Sequence, residues 1–316
     1  MRRKPSERKP FKTISWHLEA LGLRLLLLLL KGRSHRTMRR LLHRGVGLAR
    51  PLLGGRIATA AANLERVYGG QLSQRQRLVL AERSLESFLL AGLESIIQPV
   101  PEAAITVEGE GLSELLRQPR QGQGVIVASL HLGCWDIALR WLSQRLPALA
   151  VVYRPANNPL TDPLLNRARS ANSNCLWIPR SDSLAMARHL RRGGDLVLMT
   201  DLTANRRNGV VADFLGLQTR FTPGPMRFSQ RLDTPLFPAA HVREDDGSFR
   251  LIFGAPIRPC GSVAEQATAL ARWQEPWIQA YTEQYYWINR RWRGEDGRRL
   301  RQLPAPAERV LALADS

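Results

Sequence analysis

The stretch from residue 124 to residue 142 constrains the fold of this chain more than any other. The β-branched apolar run Val125–Ser129 is typical of a buried strand, and Gly133 follows it after Leu130-His131-Leu132. From Asp136 to Leu142 the apolar residues recur at helical spacing. The segment is therefore predicted to form a strand, a tight turn and a helix.

Two polar side chains, His131 and Asp136, flank this predicted turn. In one continuous helix they would diverge, because five steps at 3.6 residues per turn overshoot a full turn by about 140°. They can meet if His131 lies in the turn and Asp136 in the first helical turn, and Gly133 gives the backbone the freedom to do this. The result would be an imidazole with one ring nitrogen held by a carboxylate and the other available as a base. The alternative is a solvated turn followed by a helix cap.

Strand-like and helix-like runs alternate after residue 124. The strand-like runs are 125–129, 149–153, 176–178 and 196–199, and the helix-like runs are 136–146, 159–169 and 183–192. This alternation predicts an α/β fold with a mixed, largely parallel sheet flanked by helices. His131 then lies at the carboxyl end of a strand, where open α/β sheets place their ligands.

Two further features complete the predicted fold. The turn signal Asp245-Asp246-Gly247 joins the apolar runs 236–242 and 249–253, which predicts an antiparallel hairpin on the edge of the sheet. A last helical stretch is predicted from about residue 263 to residue 292, followed by an arginine-rich tail.

The amino-terminal residues combine positive charge with a leucine-rich helix. Residues 1–50 carry fourteen Lys or Arg against two acids, which accounts for +12 of the net charge of +19. The seventeen residues from Ile14 to Leu30 span only about 25 Å as a helix, and three polar residues, His17, Glu19 and Arg24, interrupt them. A helix lying in the membrane interface is therefore predicted, with a tilted span as the alternative. The positive flanks favour a cytoplasmic location for the residues that follow.

The basic composition also bears on the partners. A sequence pI near 11.3 would suit a nucleic-acid-binding protein, but the aromatic residues do not interleave with the basic cluster as a stacking platform requires. Nucleic acid is therefore not a predicted partner. An anionic membrane lipid is predicted instead, since each Lys or Arg near an anionic membrane surface contributes about 1 kcal/mol to binding.

Composition along the chain predicts four segments. Residues 1–50 form a basic segment with the membrane-anchoring helix, and residues 51–100 a helical segment in which Ser73 caps a helix that ends before Pro99. Residues 101–292 form the α/β domain, and residues 293–316 a basic tail.

The three cysteines are widely separated and lack zinc-type spacing. Cys134, Cys175 and Cys260 are therefore predicted to be reduced thiols.

The segment His131-Leu132-Gly133-Cys134-Trp135-Asp136 resembles the signature box of the lysophospholipid acyltransferase superfamily, a His followed five residues later by an acid. It is most similar to the lipid A late acyltransferases, the lauroyl and myristoyl transferases, whose box has Asn where this chain has Cys134. The resemblance implies a glycerolipid acyltransferase-like fold. It also implies transfer of a fatty acyl group from an acyl carrier protein or coenzyme A thioester to a hydroxyl of a lipid or glycolipid.

A second box, Tyr153-Arg154-Pro155-Ala156-Asn157-Asn158-Pro159, resembles the family's Tyr-Arg-Pro-x-x-Asn-Pro. By this resemblance Arg154 and Asn158 are candidates for binding the polar groups of the acceptor or for stabilising the oxyanion. Without it, Arg154 would be interpreted as an ordinary surface arginine. Asp201 lies where family members commonly have Asp-Gln, and it is predicted either to orient Arg154 or to cap its loop.

A third pair of boxes lies at residues 208–216 and 221–225 and resembles the family's Gly-Val-x-Val-x-Phe-Phe-Gly and Thr-x-Gly-Pro. Gly216, Thr222 and Gly224 are thereby candidate substrate-binding residues. Gly224 is predicted to open a helix, whose amino terminus can bind an anion. The alternative is a Gly/Pro loop without chemistry.

The resemblance implies a mechanism in which His131 is the general base and Asp136 fixes its tautomer. It requires no metal, and the acyl thioester is a co-substrate rather than a cofactor. The predicted location is the cytoplasmic face of the cell inner membrane. Three alternatives stay open: a lysophospholipid or other glycolipid acceptor, a covalent route through Cys134, and a non-catalytic basic scaffold docked on the membrane.

Overall fold

The structure is a computed structural model that describes residues 10–30, 33–94, 100–117, 122–170, 173–204, 207–292 and 297–315. Its helices are α1 (Pro10–Leu30), α2 (His35–Tyr68), α3 (Gln74–Glu94), α4 (Leu112–Leu116), α5 (Trp135–Ser143), α6 (Asp162–Ser170), α7 (Ser183–Arg191), α8 (Gly224–Leu232), α9 (Val263–Ala280) and α10 (Glu308–Asp315). Its strands are β1 (Ile105–Glu108), β2 (Ile126–Ser129), β3 (Leu149–Tyr153), β4 (Leu176–Pro179), β5 (Asp195–Met199), β6 (Val210–Phe214), β7 (Leu217–Phe221), β8 (Leu236–Arg243) and β9 (Phe249–Phe253).

Seven strands form one sheet in the order β1-β9-β8-β2-β5-β3-β4, and β6 pairs with β7 in a separate hairpin. Every neighbouring pair in the large sheet is parallel except β8–β9. This confirms the predicted mixed, largely parallel α/β fold. The central strand β2 is buried along its whole length, which explains why its sequence is continuously apolar instead of alternating.

The predicted hairpin forms, but its expected position at the edge of the sheet is wrong. β8 pairs with β2 on its other side, and β1 covers the outer side of β9. All eight residues of β8 are buried, so their backbone groups need partners on both flanks.

The last predicted helix is shorter than expected. α9 ends at Ala280 and not near residue 292. The chain continues through the 3₁₀ turn Thr282–Gln284 into an extended segment that pairs with the turn after β2, through an isolated bridge between Leu132 and Tyr285. Because the turn carries buried backbone groups without strand partners of their own, this segment supplies their hydrogen bonds.

Helices α2 and α3 form an antiparallel pair against the α/β body. α2 runs without interruption across the predicted segment boundary at residue 50. The predicted cap at Ser73 is confirmed, since the Gln76 amide donates to Ser73 Oγ at 3.2 Å and the Ser73 amide to Gln76 Oε1 at 2.8 Å. Pro99, the predicted stop of this helix, lies outside the described residues.

Helix α1 leaves most of its leucine-rich surface uncovered. The exposed apolar side chains are Ile14, Leu18, Leu21, Leu25, Leu26, Leu28 and Leu29. Among the described residues, no helix has both the length and the apolar character needed to cross a bilayer. The basic residues before Pro10, as well as Lys31, lie outside the described part of the chain.

A buried ion pair ties the helical pair to the sheet. Arg243 of β8 donates from Nε and Nη2 to the two carboxylate oxygens of Glu94, both at 2.6 Å, and from Nη2 to the Gly133 carbonyl at 3.0 Å. Burial alone would raise the pKa of Glu94, but the guanidinium and its hydrogen bonds outweigh burial, and the pKa is lowered. The ion pair thus connects α3, β8 and the turn after β2.

Replacing Glu94 by Ala is expected to leave the Arg243 guanidinium buried and unpaired. The free energy of unfolding should fall by about 3–5 kcal/mol, the usual cost of breaking a buried pair. Chemical denaturation followed by circular dichroism measures this change. The control is Glu102→Ala, which removes an exposed ion pair with Arg145 and should cost no more than about 1 kcal/mol. Equal losses in both variants would contradict the role given to the buried pair.

Candidate active site

His131 lies in the turn between β2 and α5, at the carboxyl end of the central strand. The turn depends on Gly133, whose φ is +58° and where a Cβ atom would come within 2.2 Å of the His241 carbonyl oxygen. The backbone on either side is held by the carboxy-terminal segment: the Tyr286 amide donates to the His131 carbonyl at 3.0 Å and the Gly133 amide to the Gln284 carbonyl at 3.2 Å. The predicted tight turn at Gly133 is confirmed.

The imidazole of His131 is held by Asp201. Its Nδ1 lies 2.8 Å from Asp201 Oδ1, and the His131 backbone amide donates to Asp201 Oδ2 at 3.0 Å. The parallel register explains this pairing: Ser129 of β2 lies opposite Met199 of β5, so the residues two positions beyond each strand also face each other. The side chain of Asp201 is almost fully buried, while His131 keeps 17% of its side-chain surface exposed.

The charge state of Asp201 suits this role. Burial alone would raise the pKa of its carboxyl group, but His131 and its hydrogen bonds, together with nearby Arg291, outweigh burial and lower the pKa. An ionised Asp201 accepts from Nδ1–H, and this fixes the tautomer in which Nε2 carries the lone pair. Burial and the neighbouring Asp201 raise the pKa of the Tyr285 hydroxyl well above its ordinary value, so that this group stays protonated.

The prediction that Asp136 holds the imidazole of His131 is therefore wrong, because Asp201 holds it. Asp136 begins the first turn of α5 and is buried, and its Oδ2 has no hydrogen-bond partner among the described residues. Burial raises its pKa from 3.8 to about 6, with Arg169 opposing the shift and Glu94 adding to it. The expectation that Asp201 orients Arg154 or caps its loop is likewise replaced, because both carboxylate oxygens of Asp201 bind His131.

A cavity of about 440 Å³ opens beside His131 and extends between α5 and the sheet. Its size lies within the range of about 300–1,000 Å³ typical of ligand pockets. The deep walls are apolar and include Val127, Leu139, Val151, Val197, Ala239 and Phe253. His131, Asp136, Arg154 and Leu23 of α1 also line it. The cavity thus combines largely apolar walls with a small group of polar side chains.

Three of the predicted site residues meet at this cavity: His131, Asp136 and Arg154. Asn158 does not line it, since its Nδ2 donates to the Trp16 carbonyl of α1 at 2.9 Å and its Oδ1 accepts from the Leu160 amide at 2.9 Å. Asn158 instead ties the loop after β3 to α1.

The remaining candidates also lie away from the cavity lining. Gly216 forms the tight turn of the β6–β7 hairpin with a φ of +70°, and a Cβ atom there would lie 2.5 Å from the Arg301 carbonyl oxygen. Gly224 opens α8 as predicted, and Thr222 is exposed just before it. Neither residue belongs to the described wall of the cavity.

Other residues of the cavity were not identified from the sequence. Arg169 of α6 and Trp177 of β4 line it, and among the described residues Arg169 Nε and Trp177 Nε1 are buried without hydrogen-bond partners. Ser129 and His241 also line it. The signal for Ser129 is its position in the chain: it ends the strand two residues before His131, so its Cα atom lies within about 7 Å of that of His131.

Cys134, the alternative nucleophile, is fully buried, and its Sγ lies 3.5 Å from the Val242 carbonyl oxygen. Burial, with Glu94 adding to it, raises the pKa of this thiol far above its ordinary value. The residue does not line the described cavity. A buried thiol of this kind is unreactive, so the geometry does not favour a covalent route through Cys134.

Comparison with known proteins gives a consistent assignment. The sequence model of the family described as bacterial lipid A biosynthesis acyltransferase matches residues 1–294. The chain is 27% identical to the lipid A biosynthesis palmitoleoyltransferase of Escherichia coli (strain K12) over 251 residues, covering 78% of this chain and 81% of that protein. It is 28% identical to the phosphatidylinositol mannoside acyltransferase of Mycolicibacterium smegmatis over 177 residues, covering 54% and 57% of the two chains.

Asp136→Asn is expected to stabilise the protein at neutral pH. Since burial raises the native pKa of Asp136 from 3.8 to about 6, the native state holds a proton between those values that the unfolded state has lost, and wild-type stability falls as pH rises through that window. Removing the carboxylate should recover roughly 2–3 kcal/mol at pH 7.5. Urea denaturation at pH 7.5 and at pH 3.5 measures the difference. A gain that does not shrink at the lower pH would contradict this assignment.

Proposed function

Because the chain belongs to the bacterial lipid A biosynthesis acyltransferase family, and is therefore an acyltransferase, we propose that it acylates a hydroxyl of lipid A or of a related glycolipid. The acyl donor in this proposal is a thioester of acyl carrier protein or of coenzyme A. The observation that carries the proposal is the His131–Asp201 pair beside a cavity with largely apolar walls. Acyl transfer needs a general base next to a compartment that takes a hydrocarbon chain, and the His131–Asp201 pair and the apolar walls of the cavity support this proposal.

In the proposed reaction, Nε2 of His131 accepts the proton of the acceptor hydroxyl while the hydroxyl oxygen attacks the thioester carbonyl. Asp201 keeps the proton on Nδ1 and stabilises the imidazolium that forms. When the tetrahedral intermediate collapses, the carbon–sulfur bond breaks, and the leaving sulfur takes the proton from Nε2. The products are an ester and a free thiol, and His131 returns to its starting state.

Three other polar side chains that line the cavity are proposed to stabilise the oxyanion and to bind the acceptor. Arg169 Nε has no hydrogen-bond partner among the described residues and can donate to the developing oxyanion. Arg154 is exposed at the end of β3 and lines the same cavity, so its guanidinium can bind a phosphate of the acceptor. Asp136, whose pKa burial raises to about 6, is mostly ionised at neutral pH, and its Oδ2, which has no partner among the described residues, can accept a hydrogen bond from the bound substrate.

The apolar walls favour a fatty acyl chain as the occupant of the cavity. Each methylene group that leaves water for such a compartment contributes about 0.8 kcal/mol. The walls come from two sides, Val127, Val151 and Val197 from the sheet and Leu139 from α5. The thioester carbonyl then reaches His131 while the chain extends into the protein.

The orientation at the membrane follows from α1. Leu23 of this helix lines the cavity, and the bond from Asn158 to the Trp16 carbonyl fixes the helix beside the loop after β3. The exposed leucines of α1 can enter the interface of an anionic membrane. The proposed location is the cytoplasmic face of the inner membrane, where a lipid acceptor can reach His131 from the bilayer.

Asp201→Asn and His131→Ala are expected to lower kcat by about 10²- to 10⁴-fold, because the first loses the correct tautomer and the second loses the base. The assay combines acyl carrier protein or coenzyme A thioesters with a lipid A precursor in mixed micelles, and mass spectrometry identifies the product. Asp213→Asn removes a carboxylate that pairs with Arg272 and Arg301 outside the cavity, and serves as the matched control. Full activity of the Asp201 variant would refute the proposed pair.

Cys134→Ser separates the direct from the covalent route in the same assay. Direct transfer predicts little change in turnover, whereas a thioester on Cys134 predicts its collapse.

Replacing both Leu25 and Leu28 by Glu is expected to weaken binding to anionic vesicles at least about tenfold, since each leucine that enters the interface contributes about 1.5–3 kcal/mol. Cosedimentation with phosphatidylglycerol vesicles measures the change. Leu184→Glu alters an exposed leucine of α7 and should bind as the wild type does. Equal binding of all three proteins would exclude α1 as the docking element.

A further inference from the structure

A second histidine, His241 of β8, lies in the wall of the cavity and pairs with Ser129 of β2. Ser129 Oγ and His241 Nε2 are 2.7 Å apart, and His241 Nδ1 lies 2.5 Å from the Leu132 carbonyl oxygen. Both residues are nearly fully buried. They form a polar site within walls that are otherwise largely apolar, and the proposed reaction does not use them.

The hydrogen-bond partners fix the direction of every proton in this pair. The Leu132 carbonyl can only accept, so Nδ1 of His241 carries the proton and donates it. Burial lowers the pKa of His241 to about 4, which keeps the ring neutral and leaves Nε2 as an acceptor. Ser129 therefore donates its hydroxyl proton to Nε2.

The Ser129–His241 pair therefore offers a ligand in the cavity one hydrogen-bond acceptor and no hydrogen-bond donor. The Ser129 hydroxyl oxygen has lone pairs left, and within the described residues no donor bonds to it. The proton of Ser129 and the ring proton of His241 are both already used. A ligand group that donates a hydrogen bond would be accepted here, whereas a group that only accepts would find no partner.

The position of the pair along the cavity can be read from β2. Ser129 is the last residue of β2 and His131 lies two residues further along the chain, so their Cα atoms are at most about 7 Å apart. Both residues line the cavity. A thioester carbonyl at His131 would therefore place the first carbons of its acyl chain beside Ser129.

We propose that Ser129, held by His241, is a recognition site for a hydroxyl group near the carboxyl end of the acyl chain, so that the enzyme selects 3-hydroxyacyl thioesters over unsubstituted ones. This inference rests on the proposed acyl transfer. The substrate hydroxyl donates its hydrogen bond to Ser129 Oγ, and no covalent bond to Ser129 forms.

The first experiment uses the wild-type enzyme with three acyl thioesters of equal chain length in direct competition. The 3-hydroxyacyl thioester is expected to exceed the unsubstituted one in kcat/KM by about 3- to 10-fold, the effect of one net hydrogen bond. The 3-oxoacyl thioester, which offers only an acceptor, is expected to be the poorest of the three. Equal use of the hydroxylated and unsubstituted donors, or a preference for the 3-oxo donor, would overturn the inference.

The second experiment compares the same ratio in two variants. Ser129→Ala should bring the ratio of 3-hydroxyacyl to unsubstituted kcat/KM close to one. Ser143→Ala is the matched control, since it removes another buried serine hydroxyl that bonds the Arg140 carbonyl outside the described cavity wall, and it should keep the wild-type ratio. An unchanged ratio in the Ser129 variant would overturn the inference.

The wild-type ranking decides the question even if the Ser129 variant does not fold. Failure of the proposed function gives a different result, because the wild-type enzyme would then transfer no acyl group from any of the three donors.

Discussion

The register between β2 and β5 determines what the site can do. Parallel pairing of Ser129 with Met199 brings the residues two positions beyond each strand together, and His131 and Asp201 meet although seventy positions separate them in the chain. A carboxylate presented from beyond a neighbouring strand binds Nδ1 of the imidazole and leaves the other ring nitrogen without a bond to Asp201, while His131 itself lines the cavity. The chemistry thus depends on sheet geometry more than on the spacing inside one sequence motif.

His131 and His241 both line the cavity, but their different hydrogen-bond partners give the two imidazoles different properties. His131 binds an ionised carboxylate, which would stabilise the imidazolium of the proposed proton transfer. His241 binds a carbonyl and a hydroxyl in a buried position, so it stays neutral and cannot exchange a proton at physiological pH. One histidine is therefore suited to act on a proton and the other to hold a hydroxyl group in place.

Much of the architecture could be predicted from the sequence, because the spacing of apolar residues shows which face of a helix or strand is buried. The alternation of strands and helices, the turn at Gly133 and the cap at Ser73 are confirmed, and His131 and Arg154 line the cavity as part of one site. The partner of His131 could not be predicted from spacing. Asp136 is near in sequence, but helix α5 directs it into the cavity, whereas the distant Asp201 reaches the ring through strand register.

Other errors have the same origin. The end of α9 and the internal position of β8 depend on which backbone groups need partners in the folded molecule, and a local pattern does not contain that information. The hairpin turn at Gly216 was interpreted as part of a substrate site, because a glycine required by a left-handed backbone and one required by a ligand look alike in sequence.

The extended segment after α9 has a consequence for biosynthesis. The Tyr286 amide donates to the His131 carbonyl, and the Gly133 amide donates to the Gln284 carbonyl of this segment. The turn that carries His131 is therefore fixed only when both hydrogen bonds have formed. During synthesis the turn cannot make these two hydrogen bonds until residue 286 has left the ribosomal exit tunnel. The turn that carries His131 is thus completed only after all seven strands of the large sheet have been synthesised.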